Sequence, residues 1–279
     1  NAEEWDRNAY FPRDAIREMG DLGLMGILVP EEFGGANADF ISYVVALSEI
    51  SGGDGGTSVT MAVQAVAETC IMSFGTEAQK AEYLPKLARA EILGAFMLTE
   101  PHTGSDAGSI RCRAEKVGNQ YVLNGTKQFI TTGSNADIAI TFAMTDQAKG
   151  SRGMSAFIVP TATPGYQVAR LEHKLGQKSN DTAQIVLEEV KIGPEKLLGE
   201  EGEGYKIALS NLESGRIGIA AQSVGFARAA FNAARAYAKD RQTFGKAIYD
   251  HQAVAFKLAD MATEIEAASL MTLNAARLK

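Results

Sequence analysis

The spacing of apolar residues constrains the fold of this chain most, because it changes twice along the sequence. Up to about residue 91 the apolar side chains recur every three or four positions, which indicates amphipathic helices. One such stripe consists of Val59, Val63, Val66, Cys70 and Phe74. From about residue 92 to residue 199, short apolar runs alternate with Gly, Pro, Asn and Asp, which is typical of strands joined by turns. The helical spacing then returns and continues to Lys279.

This order predicts an α+β multidomain fold. We expect an N-terminal helical domain over residues 1–92, a central antiparallel β-barrel or sandwich over residues 93–202, and a C-terminal helical bundle over residues 203–279. Strands that follow one another without intervening helices usually pair antiparallel. A chain of 279 residues, at ~100–200 residues per domain, is consistent with such a division.

The C-terminal region carries two long apolar stripes on either side of a polar connection at residues 241–249. Small residues such as Ala220 and Ala227 in the first stripe favour a close approach between helices. Two helices alone cannot bury both of their apolar faces. We therefore expect this pair to dock on another domain or subunit, or the chain to continue beyond Lys279.

Asn124-Gly125 is the strongest local turn signal, because both central positions of a type I′ turn need positive φ. It predicts a hairpin between strands at Gln120–Leu123 and Thr126–Thr131. Further strands are predicted at Leu93–Thr99, Asp137–Thr145, Ser155–Val159, Tyr166–Leu171 and Ala183–Val190.

Several residues predict where helices begin and end. A glycine-rich loop at residues 51–56 precedes a helix that Thr57 can cap and that Gly75 ends. Thr76 with Gln79 three positions later predicts a capping box for the next helix. No strand precedes the glycine-rich loop, so a phosphate site is the less favoured alternative to a plain loop.

Charge and composition argue against some classes of partner. Asp and Glu outnumber Lys and Arg by 34 to 27, so no general basic field favours a nucleic-acid backbone or an anionic membrane. No apolar run approaches the ~18 residues of a membrane span. Cys70 and Cys112 are far apart and predict a reducing compartment. The start at Asn1 does not resemble a signal peptide, and the missing Met suggests processing or truncation.

Several kinds of chemistry are also disfavoured. A serine-hydrolase elbow needs Gly two positions before and two after the nucleophile, but Thr103 and Ala107 flank Ser105 in those places. No Rossmann or Walker glycine pattern is present. A metal site is not expected, because three histidines are scattered without metal-ligand spacing: His102, His173 and His251.

The segment from Ala95 to Gly108 is unusual, since a strand runs into a turn rich in hydroxyls and glycines. The hydroxyls of Thr99 and Ser105, with exposed backbone N–H groups, suit a planar heterocycle and a phosphate. The alternative is a well-capped surface turn.

Leu98-Thr99-Glu100, followed by Gly104-Ser105-Asp106, resembles the flavin signature of the acyl-CoA dehydrogenase family. The resemblance extends along most of the chain. It includes the segments 24–35, 124–131 and 240–246, and the pair His251-Gln252.

The resemblance implies FAD bound between the β domain and the C-terminal helices. It places the flavin against Phe96, Leu98, Thr99, Gly104, Ser105, Phe129, Ile130 and Thr131. It implies that four residues reach the FAD of a neighbouring subunit: Arg241, Thr243, Phe244 and Gln252. It implies acyl-CoA contacts at Ser105, Glu213 and Arg216.

The residues alone leave other interpretations open. Arg241 suits a pyrophosphate but is equally compatible with a solvated helix connection. Phe129 is compatible with a core aromatic, and Thr131 with a strand residue paired across the sheet. Glu213 and Arg216 are spaced as an i, i+3 ion pair.

The activity implied by the resemblance is dehydrogenation of a short- or branched-chain acyl-CoA to the 2-enoyl-CoA, with electrons passed to an electron-transfer flavoprotein. A homotetramer built as a dimer of dimers is implied, in the cytoplasm of a bacterium or the mitochondrial matrix of a eukaryote. An oxidase on the same scaffold and a non-catalytic module that binds acyl-CoA and FAD are the alternatives.

The catalytic base of the family is expected after Lys279. A minority of members carry it at the position of Gly215, which has no side chain to act as a base. We therefore predict no catalytic base among the residues of this chain.

Overall fold

A computed structural model describes residues 1–279. The N-terminal part contains five helices: α1 (Ala2–Asn8), α2 (Arg13–Asp21), α3 (Phe40–Gly53), α4 (Gly55–Phe74) and α5 (Glu77–Ala88). No helix of the chain combines the length and the apolar character needed to span a bilayer.

Side-chain caps determine where three of these helices begin: Asp39 caps α3, Asp54 caps α4 and Thr76 caps α5. Thr76 and Gln79 form the predicted capping box of α5, with N–H···O distances of 3.2 and 3.0 Å. The predicted cap of α4 is wrong, because the carboxylate of Asp54 accepts the Thr57 N–H at 2.7 Å. The predicted glycine-rich loop is also shorter than expected. Helix α3 continues through Gly53, and only Asp54 separates it from α4.

The central part forms one eight-stranded sheet. Its strands are β1 (Gly94–Met97), β2 (Arg113–Val117), β3 (Gln120–Thr131), β4 (Ile138–Met144), β5 (Met154–Pro160), β6 (Tyr166–Leu171), β7 (Thr182–Ile192) and β8 (Leu197–Leu198). They lie in the order β6-β7-β3-β2-β4-β5-β8, and β1 pairs with β4. The pairs β1–β4 and β2–β4 are parallel, and the others are antiparallel. The predicted fold class, with helices before and after a mostly antiparallel β region, is confirmed.

The predicted hairpin at Asn124-Gly125 is wrong. Strand β3 runs through this dipeptide, and Asn124 pairs with Arg113 of β2. Gly125 lies at a bulge instead, where a Cβ would come within 2.7 Å of the Cys112 Cα atom. The turn lies earlier, at Gly118, which has φ +61°. The local turn preference of Asn124-Gly125 is overridden here, because β3 pairs along both of its edges, with β2 and with β7.

The C-terminal part is an antiparallel pair of long helices, α6 (Gly204–Asp240) and α7 (Gln252–Arg277). Two short strands, β9 (Gln242–Thr243) and β10 (Lys246–Ala247), lie in the connection between them. Helix α6 packs on α3 and α4, and a Cβ at Gly225 would lie 2.2 Å from the Ser48 carbonyl oxygen. Small residues therefore set the close approach of these helices. The division into domains at residues 92/93 and 202/203 stays a prediction.

Apolar side chains fill both faces of the sheet. On one face Ile140, Phe142 and Ile158 pack with residues of α4 and α5. On the other face Ala139, Phe157 and Leu187 belong to a second cluster. Strand β1 packs against α4, so the C-terminal end of β1 lies where the helices meet the sheet.

Candidate functional site

A cavity of about 620 Å³ lies where the end of β1, the end of β3, α4 and α6 meet. Its lining includes all eight residues of the β region that the resemblance assigns to the flavin: Phe96, Leu98, Thr99, Gly104, Ser105, Phe129, Ile130 and Thr131. Helix α6 contributes Leu212, Gly215, Arg216 and Ile219, and α4 contributes Ala62, Val63 and Val66. The structure thus brings residues from four separate segments of the chain to one place.

The turn after β1 is organised by its own backbone. Glu100 and Thr103 exchange N–H···O bonds of 2.9 and 3.1 Å, and the Thr103 hydroxyl donates to the Asp106 carbonyl at 2.6 Å. These bonds hold the turn so that Thr99 and Ser105 lie on the cavity wall. A Cβ at Gly104 would meet only Thr99, at 3.9 Å, so this position leaves open space.

A bulge near the end of β3 turns Phe129 into the cavity. The register with β7 shifts between Lys127 and Ile130, and Phe129 has φ +57°. Its side chain is 61% exposed while its neighbour Ile130 is buried. The interpretation of Phe129 as a core aromatic is therefore wrong. Thr131 both pairs with Thr182 of β7 and lines the cavity.

A buried ion pair lies beneath these residues. Lys127 Nζ lies 2.8 Å from Glu100 Oε1, and both side chains are almost inaccessible to solvent. Neither residue is among the predicted site residues, and charged side chains are seldom fully buried unless they are paired. Burial raises the pKa of the neighbouring Cys112 thiol to about 11.

The two predicted acyl-CoA contacts on α6 point in different directions. Arg216 lines the cavity, but Glu213 is absent from its lining. Glu213 Oε2 instead lies 3.7 Å from Lys279 Nζ, and the alternative interpretation, an i, i+3 ion pair with Arg216, is wrong. The role of Glu213 in substrate binding stays a prediction. None of the cavity-lining residues carries a carboxylate.

The four residues predicted to reach a neighbouring subunit lie at the far end of the α6–α7 pair and do not line the cavity: Arg241, Thr243, Phe244 and Gln252. The Thr243 hydroxyl lies 3.1 Å from His251 Nε2. Phe244 is 97% exposed and has φ +51°, so its ring projects into solvent. Their contact with a flavin across a subunit interface stays a prediction.

A second buried carboxyl lies on α4. The Glu68 side chain is inaccessible, and its Oε1 atom has no hydrogen-bond partner. Burial raises its pKa well above the usual range of a carboxyl, and burial also raises the pKa of the nearby Tyr43 hydroxyl. Asn211 Oδ1 is likewise buried without a partner. None of these residues is among the predicted site residues.

Comparison with known proteins connects this cavity to a family. Models of the N-terminal, middle and C-terminal domains of acyl-CoA dehydrogenases match residues 1–91, 95–190 and 202–279. The chain belongs to the acyl-CoA dehydrogenase family. The resemblance found in the sequence is thereby confirmed.

Similar proteins align along nearly the whole chain. An acyl-CoA dehydrogenase of Bacillus subtilis is 49% identical over 99% of this chain and 73% of its own length. The structure of butyryl-CoA dehydrogenase from Megasphaera elsdenii is 42% identical, with a TM-score of 0.95, over 98% of this chain and 73% of the other. A chain from a study of the electron transferring flavoprotein of Acidaminococcus fermentans is 44% identical, with a TM-score of 0.97, over 99% and 73%.

The protein is accordingly a flavin-dependent acyl-CoA dehydrogenase with FAD as its cofactor. The cavity fits the ring system of this cofactor, which needs flat apolar walls and polar groups at its edge. The apolar walls consist of Leu98, Phe129 and Ile130, and the hydroxyls belong to Thr99, Ser105 and Thr131. Its volume of about 620 Å³ lies within the ~300–1,000 Å³ typical of small-molecule sites.

Proposed function

We propose that this acyl-CoA dehydrogenase converts a short- or branched-chain acyl-CoA to the 2-enoyl-CoA and passes the electrons to an electron-transfer flavoprotein. The observation that carries the proposal is the single cavity in which the β-region residues meet α4 and α6. A butyryl-CoA dehydrogenase and a chain studied with an electron transferring flavoprotein are among its structural neighbours, which supports the substrate size and the electron acceptor.

The β-region residues would hold the flavin. Phe129 and Ile130 would pack against its ring, and the hydroxyls of Thr99 and Thr131 would donate to its polar edge. Arg241 and Phe244 would meet the flavin of a neighbouring subunit, because they project from the tip of the α6–α7 pair and not into the cavity of their own chain. Gln252 and Thr243 lie at the same tip.

The acyl chain would lie against the helical side of the cavity. Val63, Val66, Leu212 and Ile219 present apolar side chains there. Ser105 and Arg216, which both line the cavity, would contact the thioester or the nucleotide of the substrate. An apolar wall excludes water, which strengthens every polar interaction with the reacting thioester.

The reaction removes a proton from the α carbon and a hydrogen with its electron pair from the β carbon. Held by Thr99, Phe129 and Thr131, FAD would supply the acceptor for that hydrogen and its electron pair. The chain's own residues orient the thioester and stabilise the negative charge that develops on its carbonyl oxygen. Gly215 lines the cavity without a side chain, so we assign proton removal to no residue between 1 and 279.

We also propose that the protein assembles as a homo-oligomer, a dimer of dimers. Helix α7 exposes large apolar side chains at Phe256, Leu270 and Met271, which need a cover. Light scattering of the purified protein tests this assembly, and a monomer at micromolar concentration would contradict it. We expect the protein in a bacterial cytoplasm or a mitochondrial matrix.

The proposed activity is tested by the visible flavin absorbance of the purified full-length protein without oxygen. We expect butyryl-CoA or isobutyryl-CoA to bleach it. Leu212→Trp should prevent bleaching, because it fills the cavity. Leu209→Trp is the matched control, since Leu209 is exposed on the same helix and does not line the cavity.

Other outcomes would contradict the proposal. Flavin that no acyl-CoA bleaches would favour a non-catalytic binding module. Hydrogen peroxide formed in air at the rate of substrate turnover would instead indicate an oxidase.

A further inference from the structure

Lys127 is a cation in the interior of the sheet. Its side chain is completely buried, and its Nζ atom donates to Glu100 Oε1 at 2.8 Å and to the Leu98 carbonyl at 3.1 Å. Both acceptors belong to the segment that leaves β1. We call this arrangement the Lys127–Glu100 clip.

The carboxylate of the clip is fully partnered. Glu100 Oε2 accepts the Arg111 N–H at 2.7 Å, and Oε1 accepts the Cys112 N–H at 3.0 Å in addition to Lys127. His102 Nε2 lies 3.8 Å from Oε2. One carboxylate thus connects the turn after β1, the segment before β2 and the end of β3.

The clip lies between the two groups of residues that line the flavin side of the cavity. Leu98 and Thr99 precede Glu100 directly, and Phe129 follows Lys127 by two positions. The Gln128 N–H donates to the Thr99 carbonyl at 2.9 Å, so the two backbones also contact each other beside the clip.

The conformation on the β3 side needs such support. Phe129 has φ +57°, a region that bulky residues rarely adopt and that persists only where the surroundings impose it. The clip begins at Lys127, the last residue in register with β7 before the shift. It therefore anchors the bulge from one end.

We propose that the Lys127–Glu100 clip is a positioning device that fixes Thr99 relative to Phe129 and thereby sets the contacts of the bound flavin. This inference rests on the proposed function. A buried ion pair is weak support for stability, because apolar residues of similar volume are often as stable. Its directional bonds to Leu98 and Glu100 do impose a geometry that an apolar pair does not.

The test compares the protein with the double variant Lys127→Met/Glu100→Gln, which removes both charges and keeps similar shapes. The readouts are the absorption spectrum and reduction potential of the bound FAD and its dissociation constant. We expect a shifted spectrum and potential and an FAD dissociation constant raised about tenfold or more, since displaced binding groups lose their alignment with the ligand.

Glu100→Gln alone keeps the result interpretable if the double variant fails to fold. Its amide oxygen still accepts from Lys127, whereas its NH2 group faces the Arg111 N–H and loses that bond. We expect a smaller shift of the same readouts in the same direction.

Gln79→Met is the matched control. Gln79 is buried, and its Nε2 atom donates to the carbonyls of Glu195 and Leu197 at 2.8 and 2.9 Å, but it does not line the cavity. The loss of these two hydrogen bonds should lower the unfolding temperature and leave the flavin spectrum unchanged.

Two outcomes would overturn the inference and are distinguishable. A wild-type spectrum, potential and dissociation constant in the clip variants would reduce the clip to a structural role and leave the proposed function intact. A wild-type protein that binds no FAD would overturn the proposed function and the positioning role together.

Discussion

The β region and the N-terminal helical region each bury a carboxyl group, but only one of the two is partnered. Glu100 accepts from Lys127 and from two backbone N–H groups. Glu68 on α4 is as well buried, and its Oε1 atom has no partner. A buried carboxylate is tolerated where donors surround it, whereas burial without donors favours the protonated form. The partnered carboxyl group, that of Glu100, directly follows Thr99 of the cavity wall.

Removing the cation that partners Glu100 should change the unfolding free energy most. Lys127→Met leaves a buried carboxylate without its cation, and such losses cost about 3–5 kcal/mol of unfolding free energy. Urea unfolding of the variant and the wild type measures the cost. A loss below about 1 kcal/mol, as for an exposed ion pair, would show that the backbone donors alone stabilise Glu100.

Removing the carboxyl group of Glu68 should instead raise the unfolding free energy. Glu68→Met removes a buried polar group that lacks a partner for Oε1, so we expect a gain of about 1–3 kcal/mol in unfolding free energy at neutral pH. The same urea titration measures it. Destabilisation by this variant would show that Glu68 has a polar partner, such as a buried water.

The buried carboxyl group of Glu68 should also make the stability of the protein depend on pH. Burial raises the pKa of Glu68 well above its unfolded value. Between these two values the folded state keeps a proton that the unfolded state has released, so stability falls as the pH rises. The contribution is fully present below the unfolded pKa, ~4.3, and is lost as the pH rises through the folded pKa.

Glu68→Gln cannot ionise and should remove this slope. Its stability relative to the wild type should therefore grow from pH 5 upwards, by at most about 1.4 kcal/mol per pH unit. Thermal unfolding at several pH values measures the difference. Parallel curves for the two proteins would show that Glu68 titrates alike in both states.

An exposed ion pair provides the smallest expected effect. Arg228 Nη2 lies 2.6 Å from Glu49 Oε1, at the surface between α6 and α3. Arg228→Met should change the unfolding free energy by about 0–1 kcal/mol, and less at high salt. A cost close to that of Lys127→Met would mean that burial does not explain the difference between ion pairs in this protein.

Much of the cavity was predictable because its signals are local. The turn after β1 carries its hydroxyls and glycines within ten residues, and Phe129–Thr131 lie in one strand. The structure brings all of these residues to one cavity. The rotation of α6 about its own axis was less predictable. This rotation places Arg216 in the cavity and directs Glu213 towards Lys279.

Pairing and burial were the parts that sequence could not supply. The Asn124-Gly125 signal predicts a hairpin, but β3 has partners on both edges and continues through it. Lys127 and Glu68 are charged residues that usually face solvent, and nothing near them in the sequence indicates that each is buried.

The sequence by itself determined the order of helices and strands, the capping box of α5 and the residues that resemble a flavin site, because periodicity and turn chemistry act over a few residues. Only the tertiary structure decided the strand register, the bulge that exposes Phe129 and the ion pair that connects Lys127 to Glu100. These features arise from contacts between segments distant in the chain, and they depend on which groups are removed from water together.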